Sequence, residues 1–96
     1  MKLESLLRAK RAYLIEAARR HGAKNVRVFG SVARGEEAES SDLDLLVDIG
    51  ERTSLLDLVK LQLEIEDALG VPVDVVTAED LPANIRGQVV SDARPI

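Results

Sequence analysis

The sequence contains no cysteine and very few aromatic residues. The lack of cysteine excludes disulfides and thiolate metal sites, and it fits a reducing compartment. Aromatic residues make up only 2%, namely Tyr13 and Phe29, so the core must consist of Leu, Val, Ile and Ala. Charged residues interrupt the N-terminal apolar run, and no stretch approaches the roughly 20 apolar residues of a membrane span. We therefore expect a soluble, cytoplasmic protein.

The chain is short, and its charge is unevenly distributed. No Pro/Gly/Ser-rich linker divides the 96 residues, so we expect a single domain over 1–96. Residues 1–34 carry nine Lys/Arg and two Glu, whereas residues 35–96 carry four Lys/Arg and fifteen Asp/Glu. Because phosphate neutralisation drives binding to nucleic acid, a net charge of -4 argues against direct nucleic-acid binding. The basic N-terminal part, residues 1–34, could still contact a phosphate or an acidic partner.

Hydrophobic periodicity predicts an α/β fold of order α-β-α-β-α-β-α, with a small mixed β-sheet packed by helices. Helices are predicted over 3–21, 54–69 and about 83–91, with one helical turn at 32–35. Strands are predicted over 25–29, 42–49 and 71–77. The segment 36–41 reads as a polar loop, and 93–96 as either a frayed tail or a short edge strand. The expected buried side of the helix at 54–69 consists of Leu55, Leu58, Val59, Leu61, Ile65 and Leu69.

Asp42 and Asp44 are the first candidates for chemistry. Residues two apart on a strand face the same side, so both carboxylates converge on one point. Two neighbouring anions are unfavourable unless a cation lies between them, and Mg²⁺ suits such a site. An isolated Asp-x-Asp is more often the solvated polar face of an edge strand.

Asp74 adds weight to the metal interpretation. It lies in an otherwise apolar run, Val71 to Val76, which predicts a buried strand. A buried carboxylate without a partner is costly, so it needs hydrogen bonds, a cationic side chain or a metal. A structural ion pair is the alternative, but three carboxylates on two strands favour a metal.

Gly30 and Ser31 stand at a predicted strand-to-helix junction. Glycine allows the backbone to approach a ligand closely, and a serine at a helix start can bind a phosphate oxygen. Arg34 follows one turn later and could reach a phosphate, although an exposed arginine is equally expected. A capped turn without any ligand remains an alternative, and Gly-Ser alone is weak evidence.

Together these segments resemble the polymerase-β-type nucleotidyltransferase superfamily, and in particular its minimal (MNT-domain) branch. The resemblance rests on Gly30-Ser31-Val32-Ala33-Arg34-Gly35-Glu36, on Ser41-Asp42-Leu43-Asp44-Leu45-Leu46-Val47-Asp48, and on Asp74. It covers about residues 22–90 and departs at none of the motif positions. Within these 96 residues we do not expect the second domain with which larger relatives hold base and acceptor.

The resemblance implies catalytic roles for the three aspartates. Asp42 and Asp44 would hold two Mg²⁺ ions, and Asp74 would join the metal nearest the attacking hydroxyl. Gly30, Ser31 and Arg34 would bind the nucleotide, with Gly30 and Ser31 at the β- and γ-phosphates. The family's minimal branch further implies transfer of AMP from ATP to a HEPN-type toxin partner, at a tyrosine, by an antitoxin.

Two alternatives to this function stay open. One is a catalytically silent antitoxin or binding module that neutralises its partner by masking; under either function the chain could form a homo- or hetero-oligomer. The lack of base-stacking aromatics and of an acceptor domain favours it, whereas the three intact aspartates favour the enzyme. The other is nucleotidylation of an antibiotic or other small molecule, which 96 residues leave little room to accommodate.

Overall fold

Four strands form one mixed sheet in this computed structural model, which describes residues 3–35 and 42–96. The strands are β1 (Ala23–Phe29), β2 (Leu43–Ile49), β3 (Val73–Val76) and β4 (Arg94–Pro95). Their order across the sheet is β3-β2-β1-β4. β2 and β3 are parallel, whereas β1 is antiparallel to both of its neighbours. The predicted small mixed sheet packed by helices is therefore confirmed.

Within residues 3–35 and 42–96, five helices pack around the sheet or connect its strands. They are α1 (Leu3–Ala9), α2 (Arg11–Arg20), α3 (Gly30–Ala33), α4 (Leu55–Leu69) and α5 (Ala83–Asp92), with a 3-10 turn at Ala78–Asp80. The single helix predicted over 3–21 is wrong in one respect, because it is interrupted at Lys10. The predicted loop at 36–41 lies outside the described residues. None of the helices in the described part is long and apolar enough to cross a bilayer.

The core lies between one face of the sheet and the helices α2 and α4. Alternation places Leu43, Leu45 and Val47 of β2 on this face, and all three are buried. α4 contributes Leu58, Leu61, Ile65 and Leu69 at helical spacing. The predicted burial of Leu55 and Val59 is wrong, since these side chains are 71% and 43% exposed.

Local signals determine where α4 begins and ends. The Ser54 hydroxyl accepts from the Asp57 N–H, and the Asp57 carboxylate accepts from the Ser54 N–H, which completes the predicted capping box. Gly70 ends the helix with a left-handed φ of 71°. Since α4 connects β2 to the parallel strand β3, these caps help to fix the side-by-side position of the two strands.

The C-terminal segment, for which the sequence allowed either a frayed tail or a short edge strand, forms an edge strand. β4 pairs antiparallel with β1, with Val28 opposite Arg94. The Ile96 N–H also donates to the Val26 carbonyl at 3.3 Å. Sequence alone left this open because two residues of strand carry almost no periodic signal.

Glu64 of α4 joins the two core helices through a polar cluster. It accepts hydrogen bonds from Arg20 at 2.6 Å and Tyr13 at 2.9 Å, and it lies 2.9 Å from Nε2 of His21. Chiefly because of the Arg20 hydrogen bond, and then that of His21, the pKa of Glu64 falls to about 2. The ionised carboxylate therefore stabilises the contact between α2 and α4.

We expect Glu64→Gln to lower the free energy of unfolding by about 1–2 kcal/mol at pH 7, since charge-assisted hydrogen bonds are lost at a partly exposed site. A lowered pKa means that this contribution is present above 4.5 and is lost as the pH falls towards 2. Urea denaturation of the parent and of Glu64→Gln over this pH range measures the difference in free energy of unfolding. Glu16→Gln, which removes an exposed contact to Arg19 within α2, is the control and should change little. A difference between parent and Glu64→Gln that is independent of pH would contradict the prediction.

Candidate active site

The three predicted aspartates lie on one face of the sheet. Asp44 is in β2 directly beside Asp74 of β3 in the parallel register, and neighbouring strands are about 4.8 Å apart. Asp42 immediately precedes β2 and, two residues from Asp44, belongs to the same side. This face is opposite to the one that carries Leu43 and Leu45 into the core.

Among the three aspartates, the pKa of Asp44 is raised by its surroundings. Asp44 is partly buried, whereas Asp42 and Asp74 are exposed. Partial burial raises the pKa of Asp44, and the negative charges of Asp74 and then Asp42 raise it further. The positive charge of Arg34 opposes these effects. The site thus holds more negative charge than its own arginine offsets, which is a condition that a bound cation would relieve.

The exposure of Asp74 corrects one step of the sequence argument. The apolar run from Val71 to Val76 predicted a buried carboxylate, but only Val73 and Val75 of β3 are buried. Asp74 lies on the opposite face, which is open at this point. Its position beside Asp44, rather than its burial, is what connects it to the site.

Gly30 approaches Asp44 so closely that a side chain at this position would displace the Asp44 carboxylate. Its φ is +75°, a conformation that side chains rarely adopt. A Cβ built on Gly30 would overlap the carboxylate oxygen Oδ2 of Asp44 and lie 3.3 Å from its Cγ. The sequence predicted a close approach of the backbone to a ligand at this glycine; the group that lies against Gly30 in this structure is the Asp44 carboxylate, and a role for Gly30 in nucleotide binding stays a prediction.

Ser31 and Arg34 continue from Gly30 into the short helix α3. Ser31 is the second residue of α3, and its side chain lies outside the described part of the structure. Arg34 follows α3, is exposed, and is near enough to Asp44 to act on its pKa. The predicted helical turn at 32–35 thus begins two residues earlier, at Gly30.

The three aspartates are neighbours, but they do not form a preassembled metal site. Within 3–35 and 42–96, no three acidic or histidine side chains are arranged closely enough to hold an ion as they stand. Hard carboxylate oxygens on one face are nevertheless the donors that Mg²⁺ prefers. Since Asp42 and Asp74 are exposed, their side chains have room to turn towards an ion beside Asp44.

A cleft of about 490 Å³ opens beside Gly30, between the end of β1 and α5. Phe29, Ile85 and Val89 give it an apolar part, and its polar lining comprises Arg34, Asn84, Gln88 and Asp92. Sequence reasoning did not single out Asn84 and Gln88. Their spacing of four residues, which places both on one side of a helix, is the signal that could have found them.

The candidate site thus consists of a glycine-led helical turn after β1 and of carboxylates side by side on β2 and β3. The profile of the nucleotidyltransferase domain family matches residues 11–96. A protein adenylyltransferase of Thermococcus cleftensis is 40% identical over 90 residues, which cover 94% of this chain and 88% of that protein. The chain therefore belongs to the nucleotidyltransferase domain family, and it is a nucleotidyltransferase.

Solved structures agree with this assignment. A protein provisionally named a minimal nucleotidyltransferase is 51% identical, with a TM-score of 0.87, and the match covers 100% of this chain and 97% of that one. A chain from a structure of a tri-AMPylated Shewanella oneidensis HEPN toxin in complex with an MNT antitoxin has a TM-score of 0.69 at 19% identity. That match covers 92% of this chain and 69% of the other, and it shows a shared fold. The predicted membership of the minimal branch is confirmed.

Proposed function

We propose that this chain is a Mg²⁺-dependent protein adenylyltransferase that transfers AMP from ATP to a hydroxyl of a HEPN-type toxin and so acts as its antitoxin. The observation that carries the proposal is the position of Asp44, partly buried beside Asp74 and against Gly30. The adenylyltransferase relative and the HEPN–MNT complex support the choice of AMP and of the partner.

The proposed reaction needs charge neutralisation and positioning more than covalent help. Asp42 and Asp44 would hold two Mg²⁺ ions, and Asp74 would hold the one on the side of the nucleophile. Bound there, the ions would lower the pKa of the attacking hydroxyl and neutralise charge on the triphosphate and the leaving pyrophosphate. The excess negative charge around Asp44 is what fits these residues to divalent cations.

Each protein group has a defined task in this proposal. The acceptor oxygen bonds to the α-phosphorus while the bond to the β-phosphate bridging oxygen breaks, and pyrophosphate leaves. Asp74 accepts the proton of the hydroxyl. The backbone of Gly30 and Ser31 and the guanidinium of Arg34 bind the β- and γ-phosphates, and the adjoining cleft has the size and mixed lining that a nucleoside requires.

A tyrosine of the partner is the acceptor that we propose. Asp42 and Asp74 are exposed, so a protein surface can reach the reacting face. Water must be excluded from such a site, or hydrolysis of ATP competes with transfer. A docked partner would supply both the acceptor and this cover.

The test is incubation with ATP, Mg²⁺ and the product of the adjacent reading frame, followed by intact-mass spectrometry. We expect one or more AMP increments on the partner, all lost in Asp42→Ala, because one of the proposed metal ligands is removed. Peptide mapping then identifies the acceptor, which we expect to be tyrosine. Inhibition of the partner without any mass change, undiminished in Asp42→Ala, would instead establish a masking module.

A further inference from the structure

α4 has a second apolar face that the core does not use. Leu55, Val59 and Leu63 recur every four residues, and Leu56 lies beside them, so the four side chains occupy an arc of about 100°. Their exposed fractions, in chain order from Leu55 through Leu56 and Val59 to Leu63, are 71%, 61%, 43% and 58%. We call these four residues the α4 stripe. A helix that is apolar on two sides is typical of one that is covered on both.

The N-terminal end of the α4 stripe continues into a cleft of about 560 Å³. Leu55 belongs to both features, and Ile49 and Leu58 add to the apolar lining of the cleft. The charged residues that line it are all acidic: Asp48, Glu79 and Asp80. We call this feature the acidic cleft.

Two of these carboxylates are available to a partner. Asp48 is occupied by Arg27, whose guanidinium lies 2.8 Å from it. Glu79 and Asp80 are exposed, and their side chains form no ion pair with any residue in the described ranges. The acidic cleft therefore complements a surface that combines apolar side chains with lysine or arginine.

The neighbouring sheet edge restricts how such a partner can bind. β3 is an edge strand, and α4 side chains already satisfy its outward N–H groups. Val73 N–H donates to Glu66 at 2.9 Å, and Val75 N–H donates to Gln62 at 3.1 Å. Addition of a strand at this edge is thus blocked, which leaves side-chain docking against a helix as the mode of contact.

We propose that the α4 stripe and the acidic cleft form one docking surface for a partner protein that presents an amphipathic helix, apolar on one side and flanked by lysine or arginine. The acidic cleft is at the opposite end of β2 from the aspartate site, since Asp48 and Asp44 are four residues, or about 13 Å, apart along the strand. A partner docked here leaves the reacting face open. Docking does not depend on the proposed transfer of AMP.

Two synthetic helical peptides of about 18 residues, a length that can hold a helix, test the chemistry of the surface. They share one leucine face, which is flanked by lysines in one peptide and by glutamates in the other. By fluorescence anisotropy without ATP or metal, we expect the lysine peptide to bind at least about tenfold more tightly, and salt to reduce the difference. Equal binding of both peptides, or binding of neither, would overturn the proposal.

Variants of the full chain locate the binding. Leu56→Asp and the double change Glu79→Lys with Asp80→Lys should each weaken binding of the lysine peptide at least about tenfold. Ile15→Asp, at a 39% exposed position on α2, is the matched control and should bind like the parent. Circular dichroism melting confirms that each variant is folded, and equal affinity of parent and Leu56→Asp would contradict the assignment.

A second copy of this chain is the competing occupant, and sedimentation of the chain alone distinguishes it. We expect a monomer, because the basic helix α2 of this chain has its apolar side, Leu14, Ala17 and Ala18, buried in its own core and cannot present it to the α4 stripe. A parent chain that is dimeric, and that becomes monomeric in Leu56→Asp, would overturn the proposal in favour of self-association. Since these experiments use neither ATP nor an acceptor, their failure would leave the proposed transfer reaction untouched.

Discussion

The rate of Mg²⁺-dependent AMP transfer is expected to be about 10²–10⁴-fold lower in Asp44→Asn than in the parent. Asp44 is a proposed metal ligand, and a metal ion contributes several kcal/mol of charge stabilisation in the transition state. The amide keeps the shape of the carboxylate but cannot replace its negative charge beside Asp74 and Asp42. Mg²⁺-dependent ATP binding should fall as well. Transfer rates that are equal in parent and variant would remove Asp44 from the site.

The same variant should be more stable than the parent when metal is absent. A raised pKa means that ionising Asp44 opposes folding, so its cost appears as the pH rises above the ordinary range of an aspartate. At pH 7 the asparagine removes this cost, and we expect a gain of about 0.5–1 kcal/mol, or a Tm rise of about 2–8 °C. The gain should shrink as the pH is lowered and the parent carboxyl takes up its proton.

Asp48→Asn is the matched control, since Asp48 is on the same strand and face but pairs with Arg27. It should lose up to about 1 kcal/mol of stability and keep Mg²⁺-dependent ATP binding. The two variants therefore change stability in opposite directions. Thermal melts of both, with and without Mg²⁺, measure this, and a gain in stability for Asp48→Asn would undermine the electrostatic explanation.

Gly30→Ala is expected to have the second large effect. A methyl group at φ +75° is strained, and it would also overlap the Asp44 carboxylate. We expect the free energy of unfolding to fall by about 1–3 kcal/mol because of the strain. We also expect the rate of transfer to fall at least about 10²-fold, because a displacement of about 1 Å at a catalytic group has that effect.

Gly70→Ala separates strain from displacement. Gly70 has almost the same backbone conformation, φ +71°, but a Cβ there meets no atom within 4 Å. This variant should lose about 1 kcal/mol of stability at the end of α4 and keep full activity. If both glycine variants were equally active, the contact between Gly30 and Asp44 would have no catalytic importance.

Local patterns were enough to predict the elements that form this site. The caps at Ser54 and Gly70 and the alternation along β2 depend on neighbours in sequence, so α4 and the shared side of Asp42 and Asp44 could be predicted. The Gly-Ser turn and the later aspartate then indicated the family, which the domain profile confirms. The roles of Gly30, Ser31, Arg34 and the three aspartates stay predictions until the variants are measured.

The sequence by itself determined the order of the central helices and strands and the side of β2 to which each residue belongs, because hydrophobic periodicity and backbone geometry set both. It did not determine the break at Lys10 or the C-terminal strand β4. Only the tertiary structure decided which apolar residues are covered. Leu55 and Val59 have the spacing of core residues but lie beyond the reach of the sheet, and Asp74 is exposed although its strand is apolar. The pairing of β2 with β3 placed Asp74 beside Asp44, and the fold brought Gly30 against the Asp44 carboxylate. Both contacts join segments distant along the chain, so no local pattern could specify them.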